Sequence, residues 1–282
     1  MGRNPFNVIK FRTHVLGTFI GIYICLLSIF LILEYQNLLP WALEDKLWQP
    51  INSIVIFGTV CSILLVTGAR AGLSINRLFG RVPRFPIGYG LLLIVSVFIF
   101  SLSSSLLLFY PISLLAPGFV EERLSQQLFD IETAFPTLYK GLILFVAIVF
   151  APLTEEFIFR GVLLQRWAVR WNLPVGIILS SVLFGLLHEN NPLGLTMFGI
   201  VMALLYIRSH SLWVPIIAHA LNNIVAVTPE LLFPSAETFK LEDLQQGWWM
   251  GVVGLCLAAP TLIHFIYNSW PKKTIQPPYF WE

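Results

Sequence analysis

Six polar side chains lie within otherwise apolar stretches in the second half of this 282-residue chain. They are Glu155, Glu156, Arg160, His188, His219 and Asn223. An ionisable residue near the centre of a membrane helix costs about 2.5 to 3.5 kcal/mol on insertion scales, so such residues are functional candidates. Carboxylate, imidazole and carboxamide groups together can activate a water molecule and bind an oxyanion. This set of groups predicts water attack on a peptide carbonyl.

The spacing of the first three residues divides their roles. Glu156 and Arg160 are four residues apart, so on a helix they share a face and can form an ion pair that neutralises both charges. Glu155 points about 100° away from Glu156, which leaves its carboxylate free to face another partner. We therefore expect Glu155, helped by His188, to act as the general base that deprotonates water. The ion pair of Glu156 and Arg160 is expected to hold Glu155 in position.

His219 and Asn223 are also four residues apart, so they share a helix face and can donate hydrogen bonds to one substrate oxygen. We expect them to form an oxyanion hole. A metal-dependent version of this chemistry stays open, because Glu155, His188 and His219 are ligand types that suit zinc with one position left for water. The sequence does not decide between a metal-free site and a zinc site.

Composition places these residues in a membrane protein. Hydrophobic residues make up 57% of the chain, charged residues make up 11%, and the mean hydropathy is +0.79. A soluble domain of this length needs far more charge on its surface. The net charge of +2 is too small to indicate a nucleic-acid partner. The expected partners are therefore the lipid bilayer and a membrane-associated protein or peptide substrate.

Apolar runs of about 20 residues, the length of helix that crosses a bilayer core, recur along the chain. Eight such runs occur, at residues 14–33, 50–69, 87–115, 137–167, 173–188, 193–207, 211–227 and 248–267. They predict an all-α, polytopic integral membrane protein of about eight transmembrane helices. We interpret the chain as a single membrane domain. Its parts are N-terminal packing helices and loops (1–136), the helices with the candidate residues (137–227), and a loop, last helix and polar tail (228–282, the tail from 271).

Charged residues between the apolar runs predict the orientation, because Lys and Arg accumulate in cytoplasmic loops. Basic loops, such as the one with Arg70, Arg77 and Arg81, alternate along the chain with acidic loops, such as the one with Glu121 and Glu122. This alternation predicts that both termini are cytoplasmic.

Helix rise places the candidate catalytic residues at a similar depth. At 1.5 Å per residue, Glu155 lies roughly 18 Å above the cytoplasmic end of its run, His188 roughly 22 Å and Asn223 roughly 18 Å, with His219 one turn below Asn223. Three helices thus bring four polar groups to one level. This convergence predicts a polar cavity inside the membrane.

Three motifs in this chain resemble the signature of a known family. They are Glu155-Glu156-x-x-x-Arg160, Phe184-x-x-x-His188 and His219-x-x-x-Asn223. Their order, on separate helices between about residues 137 and 227, is similar to that of the CAAX prenyl protease type II family. This family is also called the CPBP or Abi family of intramembrane proteases.

The resemblance implies an eight-helix membrane endopeptidase in which Glu155 and His188 activate water and His219 and Asn223 stabilise the oxyanion. Members of this family are described both as metalloproteases and as glutamate-dependent proteases, so the resemblance leaves the zinc question open. It also leaves the substrate open between a prenylated peptide and another membrane-associated peptide.

Two functions of other classes use the same polar residues. A proton-coupled or ion-coupled transporter would need the carboxylate and the imidazoles, but it would have no use for Asn223 as an oxyanion donor. A proteolytically inactive membrane scaffold would need none of this chemistry. Activity of the wild-type chain compared with variants at Glu155 and His188 separates these alternatives from a peptidase.

Other intramembrane protease signatures are absent from the sequence. The stretch from His188 to Pro192 has proline where a zincin motif needs its second histidine, and no rhomboid-like Gly-x-Ser-Gly occurs. An aspartyl protease needs two aspartates in membrane helices. The aspartates of this chain all lie between the apolar runs, as Asp45, Asp130 and Asp243.

Overall fold

The computed structural model describes residues 5–8, 17–18, 20–24, 46–81, 87–125, 128–129, 133–188, 190–233, 239–271 and 276–280. All regular secondary structure within these ranges is helical. The helices, in chain order, are α1 (Pro5–Val8), α2 (Trp48–Arg70), α3 (Ile75–Phe79), α4 (Ile87–Leu115), α5 (Pro117–Leu124), α6 (Pro136–Arg170), α7 (Leu173–Leu186), α8 (Pro192–Ser209), α9 (Trp213–Leu232), α10 (Leu241–Gly247) and α11 (Trp249–Ser269). A 3-10 turn follows at Pro278–Phe280.

Five of the described helices, namely α2, α4, α6, α8 and α11, are long and apolar enough to cross a membrane. Each coincides within a few residues with one of the eight predicted runs. The runs at 173–188 and 211–227 correspond to the shorter apolar helix α7 and to α9. The run at 14–33 lies mostly outside the described residues, although 17–18 and 20–24 are helical. The prediction of an all-α, polytopic membrane protein is confirmed.

Helix α6 carries both glutamates and changes its winding on either side of them. Ordinary α-helix at Ala151–Glu156 is flanked by π-helical turns at Val146–Phe150 and Phe157–Leu164. Proline at position 152 has no backbone N–H to donate to the preceding turn, and a wider turn is one way to accommodate this loss. π-Helical turns are rare and often occur at functional sites. The wider turns therefore mark the segment of α6 that presents Glu155 and Glu156.

Small residues let α7 pack closely against its neighbours on both sides. A Cβ atom added at Gly176 would lie 2.7 Å from the Leu164 carbonyl oxygen of α6. A Cβ atom added at Gly199 of α8 would lie 2.9 Å from Ser181 Cα of α7. Glycine at such positions allows two membrane helices to approach through their backbones. Helices α6, α7 and α8 therefore pack closely against one another beside the polar cluster.

Residues 277–280, which lie within the stretch expected to be a polar tail (271–282), pack against the helices. Tyr279 is 5% exposed, and its hydroxyl accepts a hydrogen bond of 3.0 Å from the Ser74 backbone N–H. Its own backbone N–H donates to Gln165 Oε1 at 3.4 Å, and its ring meets Phe6 edge-on at 5.1 Å. The rings of Tyr279 and Phe280 thus have an aromatic partner in Phe6 of α1, and the Tyr279 backbone has a polar partner in Gln165 of α6.

Candidate active site

Glu156 lies at the centre of the buried polar cluster. Its Oε1 atom accepts hydrogen bonds from Arg160 Nη1 at 3.0 Å and from His219 Nδ1 at 2.9 Å. Glu156 and Arg160 are fully buried, and His219 is 4% exposed. The structure thus brings together Glu156 and Arg160, as their spacing predicts. The contact with His219 was not predicted, because spacing along one helix carries no information about contacts between helices.

The Arg160 guanidinium is held on three sides. Besides its bond to Glu156, its Nη2 atom donates to the backbone carbonyl of Gly199 at 3.2 Å. Its Cζ atom lies 4.7 Å from the centre of the Phe184 ring, which is cation–π geometry. The close approach of α7 and α8 at Gly199 places this carbonyl within reach. Arg160 therefore links α6 to both α7 and α8.

Glu155 also faces His219. Its Oε2 atom lies 3.9 Å from His219 Nε2, and its side chain is buried. The Glu155 carboxylate interacts electrostatically with His188 as well. The two carboxylates therefore lie beside different nitrogens of one imidazole ring, although neighbouring positions on a helix point about 100° apart. His219 enters between them from α9.

His188 stands beyond the end of α7, not inside the helix as the predicted run 173–188 implied. The helix ends at Leu186, and His188 Nδ1 lies 2.7 Å from the Phe184 carbonyl oxygen. The last four carbonyls of a helix have no partner within the helix, and this imidazole satisfies one of them. Because a carbonyl only accepts, Nδ1 carries the hydrogen, and Nε2 of the neutral ring keeps a free lone pair.

Asn223 bonds to the π-helical turn of α6. Its Nδ2 atom donates to the Ala147 carbonyl oxygen at 2.7 Å. In this turn the Ala151 N–H donates to Val146, five residues earlier, so the next donor to Ala147 would be the missing N–H of Pro152. Asn223 thus supplies the donor that proline cannot. One of the two N–H groups of its amide is used in this way, and the other is left for a further acceptor.

Aromatic rings pack against the imidazole of His219. The rings of Phe198 and Phe184 meet it edge-on, with centroid distances of 4.8 Å and 6.1 Å. Both phenylalanines are 1% exposed. They exclude water from this side of the cluster, which strengthens the electrostatic interactions inside it. Phe198 lies outside the three sequence motifs, and nothing in the sequence distinguishes it from other phenylalanines.

A metal ion requires several donors that converge on one point. Among the residues that the structure describes, no three His, Cys, Asp or Glu side chains are grouped closely enough to hold one. As placed, Glu155, His188 and His219 do not fit a zinc ion.

The turn after His188 is anchored by Asn191, which was not among the predicted site residues. Asn191 Oδ1 caps α8 by accepting from the Gly194 N–H at 3.0 Å. Its Nδ2 atom donates to the backbone oxygen and the Oγ atom of Ser101 on α4, at 3.0 and 2.6 Å. Its backbone N–H donates to the His188 carbonyl at 3.1 Å. The Asn-Pro pair at 191–192 is a helix-start signal that could have revealed the cap, but not the contact with α4.

Replacing Asn191 by Ala is expected to lower the free energy of unfolding by about 2 kcal/mol, since a helix cap and a hydrogen bond to α4 are each worth about 1 kcal/mol. Asn191→Asp keeps the acceptor that caps α8 but cannot donate to Ser101, so it should lose about half as much. The measurement is denaturant unfolding of the purified chain in micelles. Equal losses in the two variants would show that the hydrogen bonds donated to Ser101 contribute all of the effect.

Comparison with known proteins agrees with the location of this cluster. Residues 137–225 match the family model described as type II CAAX prenyl endopeptidase Rce1-like. The chain is 32% identical over 113 residues to YdiL of Bacillus subtilis (strain 168), which is named as a membrane peptidase, and the match covers 39% of this chain and 44% of YdiL. It is 36% identical over 102 residues to the membrane-embedded CAAX protease MroQ of Staphylococcus aureus (strain USA300), covering 33% of this chain and 41% of MroQ. No solved structure gives a significant match.

The chain thus spans less than half the length of these two curated relatives. The matched segment nevertheless runs from the start of α6 through Asn223 on α9, and it contains all six of the polar residues singled out in the sequence. The resemblance carried by the three motifs is therefore confirmed: residues 137–225 of this chain match the model of the type II CAAX prenyl endopeptidase family.

Proposed function

We propose that this protein is an intramembrane endopeptidase that hydrolyses a peptide bond in a membrane-associated protein or peptide, with water activated by Glu155 and His188. The observation that carries this proposal is the buried contact of two carboxylates with one imidazole, Glu155 and Glu156 with His219. The family match of the same segment supports it. A prenylated peptide is the substrate class to test first, because the family model and MroQ both carry the CAAX designation.

In this mechanism Glu155 acts as the general base. A water molecule between Glu155 and His188 gives one proton to the carboxylate as its oxygen attacks the substrate carbonyl carbon. The free Nε2 lone pair of His188 accepts the other hydrogen of the water and so orients it. When the tetrahedral intermediate collapses, the C–N bond breaks and Glu155 returns the proton to the leaving amine.

His219 and Asn223 stabilise the oxyanion in this proposal. Glu156 accepts from Nδ1 of His219 and so orients the ring, which leaves Nε2 for the reacting groups. In this proposal Nε2 of His219 faces the oxyanion, and a hydrogen on Nε2 makes it the donor. Asn223 contributes the N–H that is not bonded to Ala147.

The charge pattern of the loops supports an orientation with both termini in the cytoplasm. In this orientation the turn between α2 and α3 and the start of α9 lie on the cytoplasmic side, and the polar cluster lies within the membrane. We infer that the protein acts on substrates that reach the cluster through the bilayer.

The test is a cleavage assay with the purified full chain in micelles and a panel of fluorogenic peptides with and without a prenyl group. We expect cleavage at an internal peptide bond, identified by product mass. His188→Ala should lower the rate about 100-fold, the order of a general acid-base contribution. His264→Ala is the matched control, because His264 is an exposed imidazole on α11.

Cleavage at the wild-type rate by His188→Ala would contradict the assignment. Absence of cleavage with every peptide, together with proton uptake into liposomes, would favour a transporter. A membrane-permeant chelator and its non-chelating isomer separate the zinc-dependent from the metal-free reaction.

A further inference from the structure

An open cavity of about 540 Å³ is lined by residues that are not among the six of the polar cluster. It is bounded by the short helix α3 and the residues after it, by the middle of α6, and by the start of α9. Its lining includes Ile75, Asn76, Phe79, Arg81, Leu153 and Trp213. Its volume is within the range of about 300 to 1,000 Å³ that ligand sites occupy.

The backbone that forms one wall of this cavity is tightly constrained. Gly80 ends α3 with a positive φ of 66°, and a Cβ atom there would collide with the backbone carbonyl of His210. The Phe79 carbonyl accepts hydrogen bonds from the Leu212 N–H at 2.9 Å and from Ser211 Oγ at 3.1 Å. The wall of the cavity is therefore fixed to the start of α9.

The lining divides into an apolar part and a polar part. The rings of Phe79 and Trp213 lie 5.1 Å apart with an interplanar angle of 54°, and Leu153 and Trp213 are more than one-third exposed. Arg81 and Asn76 add a guanidinium and a carboxamide, and both residues are exposed. Within the described part of the chain, the Arg81 guanidinium has no ion-pair or hydrogen-bond partner. An apolar slot beside an exposed guanidinium suits an amphiphile with an anionic head.

We propose that this cavity binds one anionic phospholipid, with its phosphate on Arg81 and Asn76 and an acyl chain along Phe79, Trp213 and Leu153. Arginine is well suited to phosphate because its planar fork donates two parallel hydrogen bonds. Basic pockets between membrane helices on the cytoplasmic side bind anionic headgroups, and anionic lipids are concentrated in that leaflet. The inference relies on the proposed orientation but not on the proposed peptidase activity.

Occupancy of this cavity bears on the polar cluster through two helices. Leu153 precedes Glu155 by two residues on α6, and the Phe79 ring stacks on Phe157 with centroids 6.4 Å apart. On the other side, Trp213 begins the helix that carries His219. A bound acyl chain therefore contacts both of the helices that bring Glu155 and His219 together.

The test uses quenching of tryptophan fluorescence by a phosphatidylglycerol with brominated acyl chains. The purified full chain is titrated in zwitterionic micelles, and the signal of Trp213 is isolated by comparison with Trp213→Phe, because the chain has nine tryptophans. We expect a saturable component that Trp213→Phe lacks. Arg81→Gln should raise the concentration of brominated phosphatidylglycerol that half-saturates this component about fivefold. This is the effect of one basic residue at a charged membrane surface. Asn76→Ala should raise this concentration by a smaller factor.

Arg70→Gln is the matched control, because Arg70 is an exposed arginine at the end of α2 that does not line the cavity. It should leave the half-saturation concentration unchanged. Three results would overturn the proposal: equal saturation by brominated phosphatidylcholine, displacement of the lipid by inorganic phosphate alone, or the same half-saturation in Arg81→Gln and Asn76→Ala as in the wild type. Thermal unfolding of each variant verifies that it is folded. If Arg81→Gln does not fold, Asn76→Ala still tests the proposal.

Discussion

Replacing Glu155 by Gln is expected to lower the rate constant of peptide-bond hydrolysis by about 10² to 10⁴, the range that a positioned general base contributes. Gln has nearly the same shape as Glu, so its side chain still fits the buried space beside His219 Nε2, but its carboxamide cannot accept a proton from water. The measurement is kcat under saturating substrate, because the carboxylate acts in the chemical step. KM should change far less than kcat.

Two observations make this result specific to catalysis. Thermal unfolding of Glu155→Gln should stay close to that of the wild type, since Glu155 forms no ion pair with a lysine or arginine among the described residues. Glu121→Gln, on the exposed helix α5, removes an unrelated carboxylate and should leave kcat unchanged. A Glu155→Gln variant that keeps more than half of the wild-type kcat would exclude Glu155 as the base.

Replacing Arg160 by Met is expected to lower the free energy of unfolding by about 3 to 5 kcal/mol, the cost of breaking a fully buried ion pair by removing one partner. The side chain of Arg160 is inaccessible to solvent and bonds to Glu156, to the Gly199 carbonyl and to the Phe184 ring. Its loss leaves the Glu156 carboxylate buried with His219 as its remaining partner. Denaturant unfolding in micelles measures the effect.

A double-mutant cycle separates charge from packing in this cluster. Glu156→Gln combined with Arg160→Met leaves no buried charge in the pair, so the double variant should be more stable than the sum of the single losses implies. Contacting residues show coupling energies of about 0.5 to 3 kcal/mol. Strict additivity would show that the Arg160 effect comes from lost packing against Phe184 and Gly199. Arg70→Met, at an exposed position, should change stability by less than about 0.5 kcal/mol.

Local patterns were sufficient for several features of the site. Glu156 and Arg160 lie four residues apart on one helix, so their pairing follows from helix geometry alone. The bounds of α4 match the predicted run at both ends, because a long apolar run bounded by charge or proline has few alternative ways to cross a membrane. The three motifs also sufficed to indicate the family.

Other features depend on contacts that no local pattern records. His188 caps the end of α7 because the helix stops at Leu186, and the choice of that end depends on the turn that Asn191 fixes to α4. Asn223 bonds to Ala147 because Pro152 and a π-helical turn together leave that carbonyl without a donor. Tyr279 and Phe280 pack against Phe6, from the opposite end of the chain, and no pattern within a short segment predicts this contact.

By itself, the sequence determined that the chain is a helical membrane protein and which polar residues lie within its apolar runs, because hydropathy and helical spacing are properties of short segments. It also determined the Glu156–Arg160 pair for the same reason. Only the tertiary structure decided that one imidazole, His219, lies beside both Glu155 and Glu156. That arrangement depends on how closely α6, α7, α8 and α9 pack, which is set by glycines and a π-helical turn whose effects appear only when the helices meet.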